Sequence, residues 1–276
     1  MKASEKFPRK IKRLVKGVLF PIALLGSLAF FSPKTFAFYL ICGIYDVSRN
    51  TALNRETVRR YFLGNGVFTW LLSPFNVLMD ILSLPYINKG VYRLEDFPAA
   101  YQEELKRLIA LAKEVNLVDQ IAERAKEFPR TMIFFKWYGA NVDTFLQIPA
   151  FQRPWKYIQT IGVSVFNKKV STSRHFGPTR TTLRVLYNLN DIDDKSAYIV
   201  VGNVTSYWRD NKLFVFDDTL LHRSVNETEK VRYCLFVDII RPTYFRSLFV
   251  SIVALIRVFS QSLNFIFYRG WNVIRQ

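Results

Sequence analysis

The chain holds two histidines in 276 residues, and their surroundings are alike. His175 lies in Arg174-His175-Phe176-Gly177-Pro178, and His222 closes the run Phe216-Asp217-Asp218-Thr219-Leu220-Leu221-His222. Both contexts read as short strands. Arg232 comes ten residues after His222 and opens the apolar run Arg232-Tyr233-Cys234-Leu235-Phe236-Val237-Asp238. Imidazoles on neighbouring strands can share a divalent metal ion. A buried guanidinium one strand further on can grip a dicarboxylate beside it. A lone histidine usually needs no ligand to explain it, but one shared site accounts for both.

The elements that must position these groups are mainly β. From about residue 131 the pattern predicts strands at 132–138, 158–167, 181–188, 197–204, 206–209, 212–216 and 231–239. Asp210-Asn211 reads as a hairpin turn between Trp208 and Leu213. Many short strands joined by turns predict a mainly β domain, a compact sandwich or barrel-like double sheet with flanking helices. One helix is expected from Tyr101, Leu105, Leu108, Ile109, Ala112 and Val115, which recur at helical spacing after Asp96 and Pro98. A shorter helix is expected over residues 119–128, and both should pack outside the sheets. Asp191, Asp193 and Asp194 read as a solvated loop, and Asp217 and Asp218 as turn-stabilising residues.

Composition narrows the partners. Half of the residues are apolar, 25 are Phe, and the net charge is +17. A chain both apolar and strongly basic points to an anionic membrane surface. No DNA- or RNA-binding motif accompanies the charge, so nucleic acid is not an expected partner. Two cysteines, Cys42 and Cys234, form no disulfide framework and no zinc set, which suits a reducing compartment. Oligomeric state leaves no mark in the sequence.

The apolar segments divide the chain. Residues 1–63 read as a basic arm (1–16) and two apolar stretches, 17–31 and 35–47, parted by Ser32-Pro33-Lys34. Each is shorter than the ~20 residues that span a bilayer, and basic residues flank both. A hairpin with both ends cytoplasmic is expected, with a single span as the alternative; the catalytic domain then faces the cytoplasm. Residues 64–130 read as an interfacial and helical segment. Its stretch 64–88 is either a core helix pair or an interfacial platform. Residues 131–243 form the β domain. Residues 244–276 read as an amphipathic tail whose apolar face carries Phe249, Ile252, Val253, Ile256, Leu263 and Ile266, with Asn264 on the polar side. The alternative is a helix docked on the domain's own core.

Three runs together resemble the aspartyl/asparaginyl β-hydroxylase family: His175-Phe176-Gly177-Pro178-Thr179 with Leu183-Arg184, then Phe216 to His222, then Arg232 to Pro242. The resemblance covers roughly residues 130–242. Ser73-Pro74-Phe75-Asn76-Val77-Leu78-Met79 is similar to the membrane-bound lipid A hydroxylases of that family. The resemblance implies a double-stranded β-helix, jelly-roll or cupin-like, with membrane-associated helices at both ends. It implies Fe(II), 2-oxoglutarate and O2. His175 and His222 would ligate iron, Arg232 would clamp the far carboxylate of 2-oxoglutarate, and Ser164 would assist. Arg184 would hold the carboxylate near the metal. Gly177 stands where a facial triad usually has its carboxylate, as in β-hydroxylase-type members. Leu186 stands where the protein-modifying branch has a histidine.

The expected activity is hydroxylation of a membrane-lipid acyl chain, of a lipid A-like lipid or an aminolipid. The alternatives are a membrane-anchored hydroxylase of Asp or Asn side chains and a non-catalytic binding module.

Overall fold

The computed structural model describes residues 20–125, 127–262 and 272–274. The basic arm and positions Leu263, Asn264 and Ile266 lie outside the described residues. Five helices come first: α1 (Phe20–Phe31), α2 (Pro33–Ser48), α3 (Arg55–Leu63), α4 (Val67–Leu71) and α5 (Ser73–Leu82). After β1 (Val91–Tyr92) come α6 (Ala99–Glu114) and α7 (Leu117–Ala125). The strands β2 (Arg130–Trp137), β3 (Ala140–Asn141), β4 (Ile158–Phe166), β5 (Val170–Ser171) and β6 (Thr182–Asn188) follow. Then come β7 (Ala197–Val201), β8 (Val204–Tyr207), β9 (Leu213–Phe216), β10 (His222–Asn226) and β11 (Arg232–Ile240). The chain continues through α8 (Arg246–Ser262) to β12 (Asn272–Ile274).

The strands make two sheets. The larger has the order β1-β9-β6-β11-β4-β2-β12, with β3 on β2, and the smaller has the order β5-β10-β7-β8. All pairings are antiparallel except that of β12 with β2. This agrees with the expected mainly β architecture and its flanking helices. Strand β11 is buried along its whole length, as a central strand covered on both faces must be. Its alternate residues divide the work. Tyr233, Leu235, Val237 and Ile239 join the core under α6 and α7, with Leu105, Leu108 and Ile121. Arg232, Cys234, Phe236 and Asp238 take the other face, towards the smaller sheet, where Ala197, Ile199 and Val201 pack. A slip of one residue would exchange the two sets, so the apolar pattern fixes the register.

Several elements differ from expectation. Strand β10 carries His222 but only one large apolar residue, Val225, so no apolar alternation marks it. The turn at Asp210-Asn211 closes no hairpin: β8 pairs with β7 in the smaller sheet, while β9 pairs with β6 and β1 in the larger. Three of the four residues of β9 are buried, so it belongs inside a sheet; β8 is half exposed and sits at an edge. Pro98 stands at the N-cap of α6 rather than in its first turn. Phe249 and Val253, expected on the membrane face of the tail, are buried against Met79 and Ile240. The described end of the segment 244–276 returns to the larger sheet as β12. Among the described residues, no helix is long and apolar enough to cross a membrane.

The N-terminal helices are joined to the β domain by buried charge. Arg180, 1% exposed, reaches Asp46 of α2, Asp80 of α5 and Asp217 after β9. Arg49 bonds Asp217 at 3.2 Å, Arg241 bonds Asp80, and the Tyr61 hydroxyl donates to Asp46 at 2.6 Å. Three arginines thus meet three aspartates across five chain segments. Burial opposes ionisation of Asp217, but Arg180, Arg49 and the Thr219 hydrogen bonds hold it well below the usual carboxylate range. Among the described residues, α2, α5, α6 and α7 share the packing of the β domain.

Candidate functional site

His175 and His222 form a reciprocal β-bridge: each backbone N–H donates to the other's carbonyl at 2.9 Å. Their ring centroids are 4.2 Å apart. His175 Nδ1 lies 2.8 Å from the Ser173 carbonyl, and His222 Nδ1 lies 2.8 Å from the Leu220 carbonyl. A carbonyl only accepts, so each Nδ1 carries the hydrogen and each Nε2 keeps a lone pair. Burial lowers the pKa of His175. Burial, then the neighbouring His175, takes His222 well below the ordinary value. Both rings are therefore neutral imidazoles, the form that binds metals.

The loop that carries His175 is held by the N-terminal helices. Asn65 donates to the Arg174 carbonyl at 2.6 Å, and Thr69 to the Gly177 carbonyl at 2.9 Å. Asn76 donates to the Pro178 carbonyl and accepts from the Arg180 N–H. Phe176 packs with Tyr61, Trp70 and Val47. The segment 64–88 thus supplies both core packing and backbone anchors.

Both histidines line a cavity of about 180 Å³ between the sheets, together with Arg232, Ser164, Ser224, Arg184 and Asp218. Arg232 opens β11, the strand that follows β10, and reaches the cavity from the opposite sheet. It is 1% exposed, and its Nη1 donates to Ser224 Oγ at 2.7 Å. Its guanidinium stacks 4.0 Å from the Phe166 ring centroid, and its Nε has no partner among the described residues. Burial brings its pKa down to about 10. No carboxylate of the described chain pairs with it. Ser164 sits on the adjacent strand, opposite Cys234 in register, and its hydroxyl donates to the Cys234 carbonyl at 3.4 Å.

Arg184 also reaches the cavity, but carboxylates of the chain already engage it: Asp238 at 2.6 Å and Asp218 at 3.1 Å. These pairs also orient the Asp218 carboxyl in the cavity wall. Asp218 is the residue that sequence reasoning missed. A Cβ built on Gly177 would lie 2.5 Å from Asp218 Cγ, so the Asp218 carboxyl fills the place where a side chain at 177 would stand. Burial raises the Asp218 pKa to about 7; Arg184 pulls it down, and Asp238 and Asp217 push it up. The signal for it was Gly177 itself: a small residue at a position that usually bears a carboxylate leaves room for one from elsewhere.

Two neutral imidazoles with open space beside them form a donor set that suits ferrous iron. Among the described residues no group of three His, Cys, Asp or Glu side chains could hold a metal ion. The unpartnered Nε of Arg232 fits the far carboxylate of a dicarboxylic acid. The donor set and the cation therefore fit iron and a 2-oxo diacid in the same cavity.

Comparison with known proteins bears on this arrangement. The aspartyl/asparaginyl beta-hydroxylase family matches residues 101–242. An ornithine lipid ester-linked acyl 2-hydroxylase from Rhizobium tropici is 29% identical, covering 76% of this chain and 76% of the relative. Matches among solved structures include a cupin 2 conserved barrel domain protein from Salinispora arenicola. It is 12% identical, with a TM-score of 0.28, covering 42% of this chain and 82% of that one. A non-heme alpha-ketoglutarate-dependent epimerase from nogalamycin biosynthesis is 15% identical, with a TM-score of 0.26, covering 32% and 51%.

Proposed function

The chain belongs to the aspartyl/asparaginyl β-hydroxylase family, and on that footing we propose that it is an iron(II)- and 2-oxoglutarate-dependent dioxygenase hydroxylating an acyl chain of a membrane lipid. The double sheet is read as a double-stranded β-helix. The observation that carries the proposal is Arg232: a buried cation without a carboxylate partner among the described residues, in the same cavity as two neutral imidazoles. An uncompensated buried charge is costly, and a dicarboxylate cosubstrate offsets that cost.

When bound, ferrous iron supplies the oxygen chemistry that hydroxylates an unactivated carbon. The Nε2 atoms of His175 and His222 hold the metal, with their rings fixed by the Ser173 and Leu220 carbonyls. Arg232 holds the far carboxylate of 2-oxoglutarate, and the Ser164 and Ser224 hydroxyls flank it. Arg184 fixes Asp218 beside the histidines. Met132, Trp137, Leu186 and Phe236 line an apolar part of the wall.

The substrate assignment rests on two supports. The relative from Rhizobium tropici is named for action on an ester-linked acyl chain of ornithine lipid. The lining of Trp137, Tyr138, Phe176 and Pro178 is apolar enough for an alkyl chain. We read the target as carbon 2 of an ester-linked acyl chain in an aminolipid. The protein would act at an anionic membrane, with the catalytic domain on the cytoplasmic side as the basic flanks of residues 17–47 suggest.

The test supplies the detergent-purified chain with Fe(II), 2-oxoglutarate and O2. Ornithine lipid and an Asp- and Asn-bearing peptide compete in one reaction, and mass spectrometry finds the added oxygen. Lipid oxidation with matching succinate, lost in His175→Ala and His222→Ala, is the expected result. Oxygen on the peptide alone would establish the protein-modifying activity instead. No 2-oxoglutarate consumption with any substrate would make the chain a binding module.

A further inference from the structure

From the outer surface of three helices we infer where the protein docks: the joint face of α2, α5 and α8, with the loop at 84–87, seats on an anionic lipid leaflet. The inference rests on the acyl-hydroxylase reading for its purpose, since an acyl chain must leave a leaflet to reach the histidines. Its structural basis is separate.

Each helix has two faces. On α2, Cys42, Asp46 and Val47 are buried, while Phe38 and Ile41 are more than half exposed. On α5, Asn76 and Met79 are buried and Ile81 is more than half exposed. On α8, Phe249 and Val253 are buried, while Leu255 and Phe259 are more than half exposed. These outer faces adjoin. The Tyr45 hydroxyl donates to Asp80 at 3.3 Å, and Tyr45, Ile81 and Leu84 line one groove between α2 and α5. Thr243, just before α8, donates to the Leu82 carbonyl at 2.7 Å, and the Tyr86 and Tyr244 rings meet at 5.7 Å. The exposed apolar side chains therefore form one belt rather than scattered singles, which single exposed residues do not require but a belt does.

Charge selects the occupant. The only acids of these three helices are Asp46 and Asp80, and arginines engage both inside the protein. The belt thus presents no free carboxylate. Lys34 is exposed at the start of α2. At the start of α8, Arg246 donates to the carbonyl of the exposed Lys156 at 3.3 Å. The whole chain carries a net charge of +17. An apolar face without acids, rimmed by cations and by the amphipathic rings of Tyr45 and Tyr244, matches the headgroup boundary of an anionic leaflet.

The belt also backs the cavity. Tyr138, which lines the cavity, packs on the cluster of Met79, Phe249 and Val253, and Arg257 of α8 donates to its carbonyl at 2.9 Å. One helix diameter, about 10 Å, separates a leaflet on the outer face from that wall.

The test reads docking without turnover. Single cysteines replace Ile81, Leu255 and, as control, Asp193 in the full chain, each labelled with an environment-sensitive fluorophore; the native Cys42 and Cys234 are buried. Vesicles of phosphatidylglycerol should shift the emission of the labels at 81 and 255 to the blue. Vesicles of phosphatidylcholine should do so more weakly, and the label at 193 should not respond. The pair Ile81→Asp and Leu255→Asp should lower partitioning into anionic vesicles by at least about tenfold, from the apolar burial lost. Labels at 81 and 255 that stay unshifted while the chain floats with vesicles would overturn the proposal. So would a blue shift that grows with protein concentration alone, which would make the belt an interface between two copies. Neither outcome depends on the identity of the hydroxylated substrate.

Discussion

Gly177 and Asp218 share one volume: the Cβ that Gly177 lacks would stand 2.5 Å from the Asp218 carboxyl carbon. One of the two positions can bear a side chain there, not both. Gly177→Ala should therefore displace Asp218 and destabilise the fold by about 1–3 kcal/mol, the range of overpacking. The paired change Gly177→Asp with Asp218→Gly should recover part of that loss. A double-mutant cycle on chemical unfolding measures it, with a coupling of about 0.5–3 kcal/mol expected. Additive effects would mean that the two positions do not compete.

Arg232 sets stability against function. Arg232→Met should stabilise the cosubstrate-free protein by about 1–4 kcal/mol, because it removes a buried charge that no carboxylate of the described chain compensates. The same change should weaken 2-oxoglutarate binding by about 2–5 kcal/mol, roughly thirtyfold or more. Urea unfolding and calorimetric titration report the two sides. A variant that is destabilised and still binds would contradict the assignment.

Arg180→Met should behave in the opposite way. It leaves Asp46 without its arginine and Asp217 with Arg49 alone, at a cost of about 3–5 kcal/mol. The anchors of the His175 loop lie in the same network, through the Arg180 N–H on Asn76. Metal affinity should therefore fall along with the melting temperature. Unchanged metal affinity in a destabilised variant would separate the network from the site.

The pH response of the metal-free protein has two opposed parts. Asp218 is raised to about 7 in the folded chain. Its contribution is therefore full below its unfolded value near 4 and is lost as pH rises through about 7. The histidines are lowered, so their contribution is present above about pH 6.5 and is lost as pH falls below it. Asp218→Asn removes only the first part. Its melting temperature, relative to the parent protein, should rise from pH 5 to pH 8. A flat difference across that range would mean that Asp218 is already ionised throughout.

The sequence made some of this site legible and hid the rest for identifiable reasons. His175, His222 and Arg232 were visible because histidine is scarce in this chain and the arginine opens an apolar strand. Ser164 and Arg184 followed from the family resemblance, and both reach the cavity. Asp217 and Asp218 looked alike as turn residues. In three dimensions one turns to Arg180 and the other to Arg184, a division that neighbouring backbone directions decide and composition does not. The Arg180 network joins Arg180 to Asp80 and Asp46, 100 and 134 positions away in the chain, so no local pattern announces it. Strand β10 was absent from the strands predicted by apolar pattern, although His222 lay in a strand-like context, because its pairing, not its apolar content, makes it a strand.

The family match begins at residue 101, yet that boundary is a poor place to cut. Starting there would discard Asp46 and Asp80, strip Arg241 of its carboxylate and leave Arg180 with Asp217 alone in a dry interior. It would also remove Thr69 and Asn76 from beneath the His175 loop. The smallest piece worth expressing therefore reaches back into α2, and a crystallographer who trims the greasy helices for solubility would be trimming the foundations of the catalytic floor.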